Sequence, residues 1–189
     1  HVRSRRQRQM CIRDRLTKIP PARLYEEVIK LFHNENSIEI FHELDQLGLL
    51  RHLFSQTTEN PFVDSSLINT SERIKNGNSV TPAFLFAVFL WSAVNKRFNQ
   101  ISKKNKSRIE LMLQASEDVI KKQTQQVMMP RWLSSRVKDI WLMQYQLENY
   151  NPKKSKALIR NPRFRMAYDF LVLRSESIDK DLKPKAEYW

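Results

Sequence analysis

Apolar residues recur along most of this 189-residue chain at intervals of three and four, which is the spacing of one face of an α-helix. The first such pattern follows Pro20 and Pro21 and predicts a helix over residues 22–32, with Leu24 and Val28 on its buried face. No segment alternates apolar and polar residues over the length of a strand. The pattern therefore predicts an all-α protein, an irregular multi-helix bundle of about eight or nine helices with no sheet.

Further helices are expected where the same spacing returns between polar or proline-containing breaks. The segment 83–98 is apolar on all sides, which indicates a helix buried on all sides. Residues 179–189 continue no apolar pattern and are expected to form a loose C-terminal end. The other expected helices cover residues 37–47, 49–54, 67–75 and 109–127, a segment capped by Ser134 or Ser135, and two segments that start at Asn151-Pro152 and Asn161-Pro162.

The composition excludes several classes of protein. Two glycines argue against hairpin-rich β architecture and against a glycine-rich phosphate loop. A single cysteine, Cys11, excludes an internal disulfide and a cysteine-based zinc site. The longest apolar run, residues 82–94, is shorter than the ~20 residues of a membrane span. We therefore expect a cytoplasmic monomer that has no membrane partner.

The net charge of +13 is unevenly distributed. Residues 1–15 hold six arginines and one aspartate, without the apolar core of a secretory signal. We interpret them as a disordered or non-native basic leader and set them aside. Residues 128–174 hold 10 basic and three acidic side chains, whereas residues 16–127 are nearly balanced. Such local asymmetry favours a polyanionic partner, although a solvated basic face without a partner is the alternative.

The side chains that catalysis or metal binding would need are scattered. The close carboxylate groupings are Glu26-Glu27, Glu117-Asp118, and Asp179 with Asp181. They are expected on helix surfaces or in the tail, and nothing predicts the convergence that two-metal phosphoryl transfer requires. His33, His42 and His52 lack the i, i+4 spacing of helical zinc ligands. We predict no catalytic residue, no metal site and no cofactor within this chain.

The basic stretch holds a more specific pattern. Each Asn-Pro pair predicts a helix start, and each is followed at once by cations that oppose the helix dipole. Fold stability does not favour cations there, so a nucleic-acid backbone is the better reason for them. Trp141, Phe164, Tyr168 and Leu171 are expected in the core, while Tyr145 and Trp132 are candidates for stacking on bases. The candidate residues for contacts to a nucleic-acid backbone are Arg131, Arg136, Lys138, Lys153, Lys154, Lys156, Arg160, Arg163 and Arg165.

Several short blocks stand out in order along the chain. They are IPPARLYEEVIKLF at 19–32, PAFLFA at 82–87, Pro130-Arg131 with Leu133, Asp139-Ile140-Trp141 with Gln144, NPRFRMAYD at 161–169, and Leu173-Arg174. Together these blocks resemble those of the bacterial tRNA nucleotidyltransferase and poly(A) polymerase superfamily. The Ala-Tyr-Asp block after Pro-Arg-Phe-Arg resembles the poly(A) polymerase branch more than the CCA-adding branch.

The resemblance implies an organisation and a function. Residues 16–60 would be neck helices, 61–127 body helices and 128–178 the basic RNA-binding helices. Arg23 and Glu27 match neck positions that support the catalytic head, although they could equally form a surface i, i+4 pair. The head lies upstream in the family, and it uses ATP and Mg²⁺ to add adenylate to RNA 3′ ends. This chain shows none of its motifs and is expected to be inactive alone.

Two alternatives remain open at this stage. The chain could be the body of a CCA-adding tRNA nucleotidyltransferase, which shares the superfamily. It could also be a stand-alone helical adaptor that binds a protein. The leading hypothesis is an RNA-holding neck and body, whose binding is steep in salt and nearly blind to sequence because phosphates carry no base information.

Overall fold

The computed structural model describes Leu16 and residues 18–101, 106–149 and 152–189, the last range without the side chains of 152–154. Predictions placed on the leader, Asn151, Lys153 and Lys154 lie outside what it describes. All regular structure in these ranges is helical, which confirms the all-α prediction. The α-helices are α1 Pro21–Phe32, α2 Ser37–Gln46, α3 Leu50–Leu53, α4 Pro61–Lys75, α5 Pro82–Gln100, α6 Arg108–Thr124, α7 Arg131–Glu148, α8 Pro152–Ile159, α9 Phe164–Ser177 and α10 Lys183–Tyr188, with a 3₁₀ turn at Lys180–Leu182.

Two helices begin earlier than their apolar patterns predict. Helix α4 begins at Pro61 rather than near Leu67, because the Asn60 side chain accepts hydrogen bonds from the next two free backbone N–H groups, at 3.1 and 3.2 Å. Helix α7 begins directly after Pro130, so the prediction of a cap at Ser134 or Ser135 is wrong. The Ser134 hydroxyl instead donates to the Met129 carbonyl at 3.3 Å.

Both glycines end helices in the left-handed region. Gly48 follows α2 with a φ of 63°, and Gly77 follows α4 with a φ of 72°. After α4, the N–H groups of Gly77 and Asn78 donate to the carbonyls of Ile74 and Arg73 at 2.9 and 2.8 Å. This pair of bonds is a Schellman motif, which satisfies two carbonyls that the helix end would otherwise leave unpaired.

The main core surrounds α5, whose residues 83–91 are all buried. Aromatic side chains from α1, from α2 and from Phe54 directly after α3 pack against it, with the rings of Phe32 and Phe54 each 5.0 Å from that of Phe89. Trp141 of α7 is fully buried, and its indole N–H donates to the Ala87 carbonyl at 3.1 Å. The expectation of burial on all sides is therefore confirmed for residues 83–91 but wrong for the rest of the predicted segment 83–98, where Ser92, Asn95 and Lys96 are exposed.

A second core cluster joins α7, α9 and the C-terminal residues. Leu182 and Ala186 are buried in it, together with Leu147 and Leu171. The indole N–H of Trp189 donates to the Leu147 carbonyl at 3.0 Å. The prediction of a loose end at residues 179–189 is thus corrected, because these few apolar side chains find partners that are distant in sequence.

Helices α7 and α9 run parallel, and this relationship positions the basic residues. Contacts advance in the same direction along both helices. The Arg163 Nε lies 3.5 Å from an Asp139 carboxylate oxygen, and the Gln144 amide donates to the Ala167 carbonyl at 2.9 Å. Further along, an Arg174 nitrogen donates to Glu148 at 2.8 Å. The N-terminal ends of both helices, with their cations, therefore point towards the same end of the molecule.

Candidate nucleic-acid interface

The corner before α9 is built by Asn161. Its side-chain oxygen accepts from the Arg163 N–H at 2.8 Å, and its carbonyl accepts from the Phe164 N–H at 2.9 Å. Helix α9 begins at Phe164, and Pro162 lies in the preceding turn. The prediction that Asn161 caps a helix whose first residue is Pro162 is therefore corrected: the Asn-Pro pair forms a turn that places two arginines at the helix start.

These two arginines are held in orientation by carboxylates. Arg163 pairs with Asp139 of α7, and the Arg165 Nε lies 3.0 Å from an oxygen of Asp169, one turn further along α9. The Arg165 side chain remains 80% exposed. Exposed ion pairs stabilise a fold by at most ~1 kcal/mol, so these contacts orient the guanidinium groups more than they hold α9 in place.

The start of α7 presents a second group of cations. Arg131 is its exposed first residue, where a positive charge opposes the helix dipole. The Arg136 guanidinium lies over the Trp132 ring, 5.1 Å from its centroid, and Trp132 is 45% exposed. Lys138 is half-buried. The exposed ring of Trp132 keeps it a candidate for stacking on a base.

The remaining predicted cations lie between α7 and α9. Lys156 on α8 and Arg160 in the following turn are both exposed. The structure thus brings Arg160, Arg163 and Arg165 together around one corner, with the Arg131 group ahead of them along α7. The side chains of Lys153 and Lys154 lie outside the described residues.

One arginine at this corner, Arg73, was not identified from the sequence patterns. Arg73, at the end of α4, reaches Asp169 at 3.7 Å and shares that carboxylate with Arg165. A cleft of about 290 Å³ lies beside them and is lined also by Thr81 and Phe84. No local signal could have identified Arg73, because its neighbours come from a helix that is distant in sequence.

Arg174, by contrast, belongs to the basic stretch but does not face solvent. Its side chain is 6% exposed, with nitrogens 2.8 Å from Glu148 and 2.6 Å from Asp179. The outward charge of residues 128–174 is therefore smaller than their composition indicates.

The aromatic residues divide between core and surface. Trp141 and Leu171 are fully buried, which confirms their prediction as core. Phe164 and Tyr168 are only half-buried and lie with their rings 5.9 Å apart and nearly parallel. Tyr145 is also half-buried, and the Arg108 guanidinium lies 5.2 Å from its ring centroid.

The neck residues lie near the start of α7. Arg23 and Glu27 are both exposed on α1, and Glu27 forms its ion pair with Lys30, at 3.0 Å. The Met128 N–H donates to the Pro21 carbonyl at 3.0 Å. This hydrogen bond joins the first turn of α1 to the segment that leads into α7.

A histidine lies between two carboxylates on another part of the surface. His42 of α2 places its two ring nitrogens 3.4 Å from Glu59 and 3.6 Å from Asp64. Potential ligand atoms of the three residues lie within 4.8 Å of one another. Asp64 is in the first turn of α4, whereas Arg73 is in its last turn, so this triad is separate from the basic corner.

The described part of the chain contains no helix that is long and apolar enough to cross a membrane.

Two family models match the chain. "Polymerase A arginine-rich C-terminus" matches residues 104–189, which include α6 to α10 and both groups of cations. "Probable RNA and SrmB-binding site of polymerase A" matches residues 9–60. The second match therefore begins inside the basic leader, residues 1–15.

Individual relatives give the same result. The chain is 31% identical to poly(A) polymerase I of Salmonella typhi over 186 residues and 30% identical to that of Escherichia coli O157:H7. It is 27% identical to the Haemophilus influenzae enzyme of the same name. Each alignment covers 92% of this chain but only 40 or 41% of the relative. Because two polymerase A family models match the chain and its similarity to poly(A) polymerase I extends over 92% of its length, the chain belongs to the bacterial poly(A) polymerase family.

Proposed function

We propose that this chain is the RNA-holding region of a bacterial poly(A) polymerase. The observation that carries the proposal is the parallel arrangement of α7 and α9, whose cation-bearing N-terminal ends point the same way. Fold stability does not account for Arg131 or Arg165, since each stands at a helix start and is exposed. A phosphate backbone supplies the negative charge that both helix ends and their arginines attract.

The proposed contacts are to the RNA backbone. Arginine pairs bidentately with phosphate, and lysine contributes a point charge. Binding should therefore weaken steeply with salt and depend little on sequence, except where a base finds a specific site. The residues proposed to track the backbone are Arg131, Arg136, Lys138, Lys153, Lys154, Lys156, Arg160, Arg163 and Arg165.

A pair of matched double variants tests this proposal. In one, Arg163 and Arg165 are replaced by alanine; in the other, the exposed Lys121 and Lys122 of α6 are replaced. Fluorescence anisotropy measures the affinity for a single-stranded RNA between 50 and 300 mM salt. The first variant should bind more weakly, with a salt slope smaller by about 0.7 for each phosphate that is no longer neutralised. Equal affinities and slopes for the two variants would exclude the corner as the binding surface.

The reaction of the whole protein is proposed from its relatives, which are named poly(A) polymerase I. The chain spans about 40% of their length, and its described residues show no convergent carboxylates at the basic corner. We infer that ATP and Mg²⁺ bind the other part of the protein, which carries out the catalytic reaction. Extension of an RNA 3′ end by the whole protein with ATP alone would support poly(A) addition. A requirement for CTP would instead indicate the CCA-adding alternative.

A protein partner is the second candidate function. The description of the family model that matches residues 9–60 names SrmB beside RNA. A protein complex should survive nuclease and high salt, whereas an RNA complex should not. If the double variant at Arg163 and Arg165 still bound a protein partner after nuclease treatment and at high salt, the result would favour the helical-adaptor alternative.

A further inference from the structure

A groove of about 520 Å³ opens between α7, α8 and the C-terminal residue. Its walls include the rings of Tyr145 and Trp189 and the side chains of Leu158 and Ile109. Ile109 is 44% exposed although it is a large apolar residue. Concave sites of this size, with apolar walls and a few polar groups, are the usual form of small-ligand sites.

The two rings are held in place by the fold. The Trp189 indole N–H is hydrogen-bonded to the Leu147 carbonyl at 3.0 Å, and its ring packs against Phe164 at 5.7 Å. The Arg108 guanidinium lies over the Tyr145 ring at 5.2 Å. A flat ligand that enters the groove therefore meets aromatic surfaces that lose little freedom on binding.

The polar lining consists of side-chain amides rather than charges. Asn149 uses its NH₂ group on the Tyr145 carbonyl at 2.8 Å, which leaves its oxygen as an acceptor. Asn161 uses its oxygen on the Arg163 N–H at 2.8 Å, which leaves its NH₂ group as a donor. Gln146 is exposed at the same groove, and its side-chain amide offers both a hydrogen-bond donor and an acceptor.

This combination matches a nucleobase, and adenine best of all. Adenine shows a donor, its N6 amino group, beside the acceptor N7, which is the edge that asparagine and glutamine amides pair with. Guanine shows two acceptors on the corresponding edge, and a pyrimidine offers a smaller ring to the aromatic walls. Lys156 and Arg160, exposed on α8 and in the turn after it, flank the groove in sequence and could hold the neighbouring phosphates.

We propose that the groove between Tyr145 and Trp189 takes one unstacked base of the bound RNA strand, with adenine preferred. This inference rests on the RNA binding proposed above and adds a base-specific site to a backbone-binding surface. It predicts that the chain distinguishes oligoadenylate from oligouridylate even though its phosphate contacts do not.

Affinities for A15 and U15 RNA, measured by anisotropy in the full chain, test the groove. Tyr145→Ala should weaken A15 binding by about 5- to 150-fold, the range for loss of one base stack. The ratio of A15 to U15 affinity should fall towards one, with the salt slope unchanged because every phosphate contact is retained. Gln146→Ala, at an exposed position, should lower the same ratio. Ile68→Ala, which shortens an exposed apolar side chain of α4 outside the groove, should leave that ratio unchanged.

The outcomes separate this inference from the proposed function. Salt-steep binding with equal affinities for A15 and U15 would overturn the base site and leave backbone binding intact. An unchanged ratio in Tyr145→Ala would overturn it equally. Absence of salt-dependent RNA binding by the unaltered chain would overturn both proposals.

A spectroscopic probe makes the test independent of any folding defect in the variants. Oligouridylate with a single 2-aminopurine, an adenine analogue, should lose fluorescence when the unaltered chain binds, because the base stacks on an aromatic ring. Tyr145→Phe should retain this quenching, since it keeps the ring. Binding without quenching by the unaltered chain would contradict a stacked base.

Discussion

The Arg174 guanidinium lies over the Trp91 ring, 4.4 Å from its centroid. It links α9 to the buried helix α5, while its nitrogens pair with Glu148 at the end of α7 and with Asp179 after α9. The side chain is only 6% exposed, so the paired carboxylates, and not water, compensate its charge. One arginine thus ties the parallel pair α7 and α9 to the main core.

Arg174→Met should destabilise the fold by about 3–5 kcal/mol, since removal of one partner leaves Glu148 and Asp179 without their cation. Urea unfolding measures the change in the free energy of unfolding. Arg165→Met, which removes an arginine that is 80% exposed, should change that free energy by no more than about 0.5 kcal/mol. Similar losses in both variants would show that Arg174 is not an internal tie.

The fold could be predicted where a buried helix face produces a regular pattern of apolar residues in the sequence. Helix α5 is apolar from Pro82 to Trp91, and the burial of residues 83–91 follows from that pattern. The early start of α4 was not predicted, because the Asn60 side chain sets it, and a capping asparagine adds nothing to apolar periodicity. The packed C-terminal end was missed for a different reason. Its stability comes from Leu182, Ala186 and Trp189 contacting α7 and α9, and no local pattern records such contacts.

The candidate surface was predictable to a similar degree. Cations that follow Asn-Pro are visible in the sequence, and the turn at Asn161 does place Arg163 and Arg165 at a helix start. The sequence could not show that Arg73 joins them, nor that Arg174 turns inward, since both facts depend on how distant helices pack. Local charge density identifies a basic region, and tertiary structure decides which members face solvent.

Asp139→Asn should strengthen RNA binding. The Asp139 carboxylate lies 3.5 Å from the Arg163 Nε and competes with phosphate for that guanidinium. Its removal frees one cation, so the salt slope for single-stranded RNA should steepen by about 0.7. Asp118→Asn removes an equivalent charge that pairs with Arg97 at 2.7 Å between α5 and α6, and it serves as the control. If both variants gain affinity equally, the effect reflects net charge and not the Arg163 contact.

Gly77→Ala should destabilise the chain by about 1 kcal/mol, although an added methyl group would meet no atom within 4 Å. The cost arises from the backbone, because φ is 72° in the turn that ends α4. Gly77→Asn should cost less, since asparagine adopts the left-handed region more readily. Urea unfolding compares the two variants. Equal stability of Gly77→Ala and the unaltered chain would contradict the Schellman turn after α4.

Acid should weaken the start of α6 through Glu110. The Ser107 N–H donates to the Glu110 carboxylate at 2.7 Å, and the Ser107 hydroxyl accepts from the Glu110 N–H, which together form a capping box. The bond from the Ser107 backbone is the largest cause that lowers the Glu110 pKa below its ordinary value of 4.5. A carboxyl whose pKa is lowered by folding stabilises the fold above its unfolded pKa, and that contribution is lost as pH falls through the folded pKa.

Glu110→Ala should therefore unfold at a lower temperature than the unaltered chain at pH 7, and the gap should narrow as pH falls below 4.5. Glu110→Gln keeps an amide able to close the capping box and should lose only the part that depends on charge. Glu117→Ala, at an exposed position of the same helix, controls for the loss of a negative side chain. Thermal unfolding followed by circular dichroism from pH 7 to pH 3 supplies the comparison. A gap for Glu110→Ala that stays constant across this range would show that its ionised carboxylate does not stabilise the helix start.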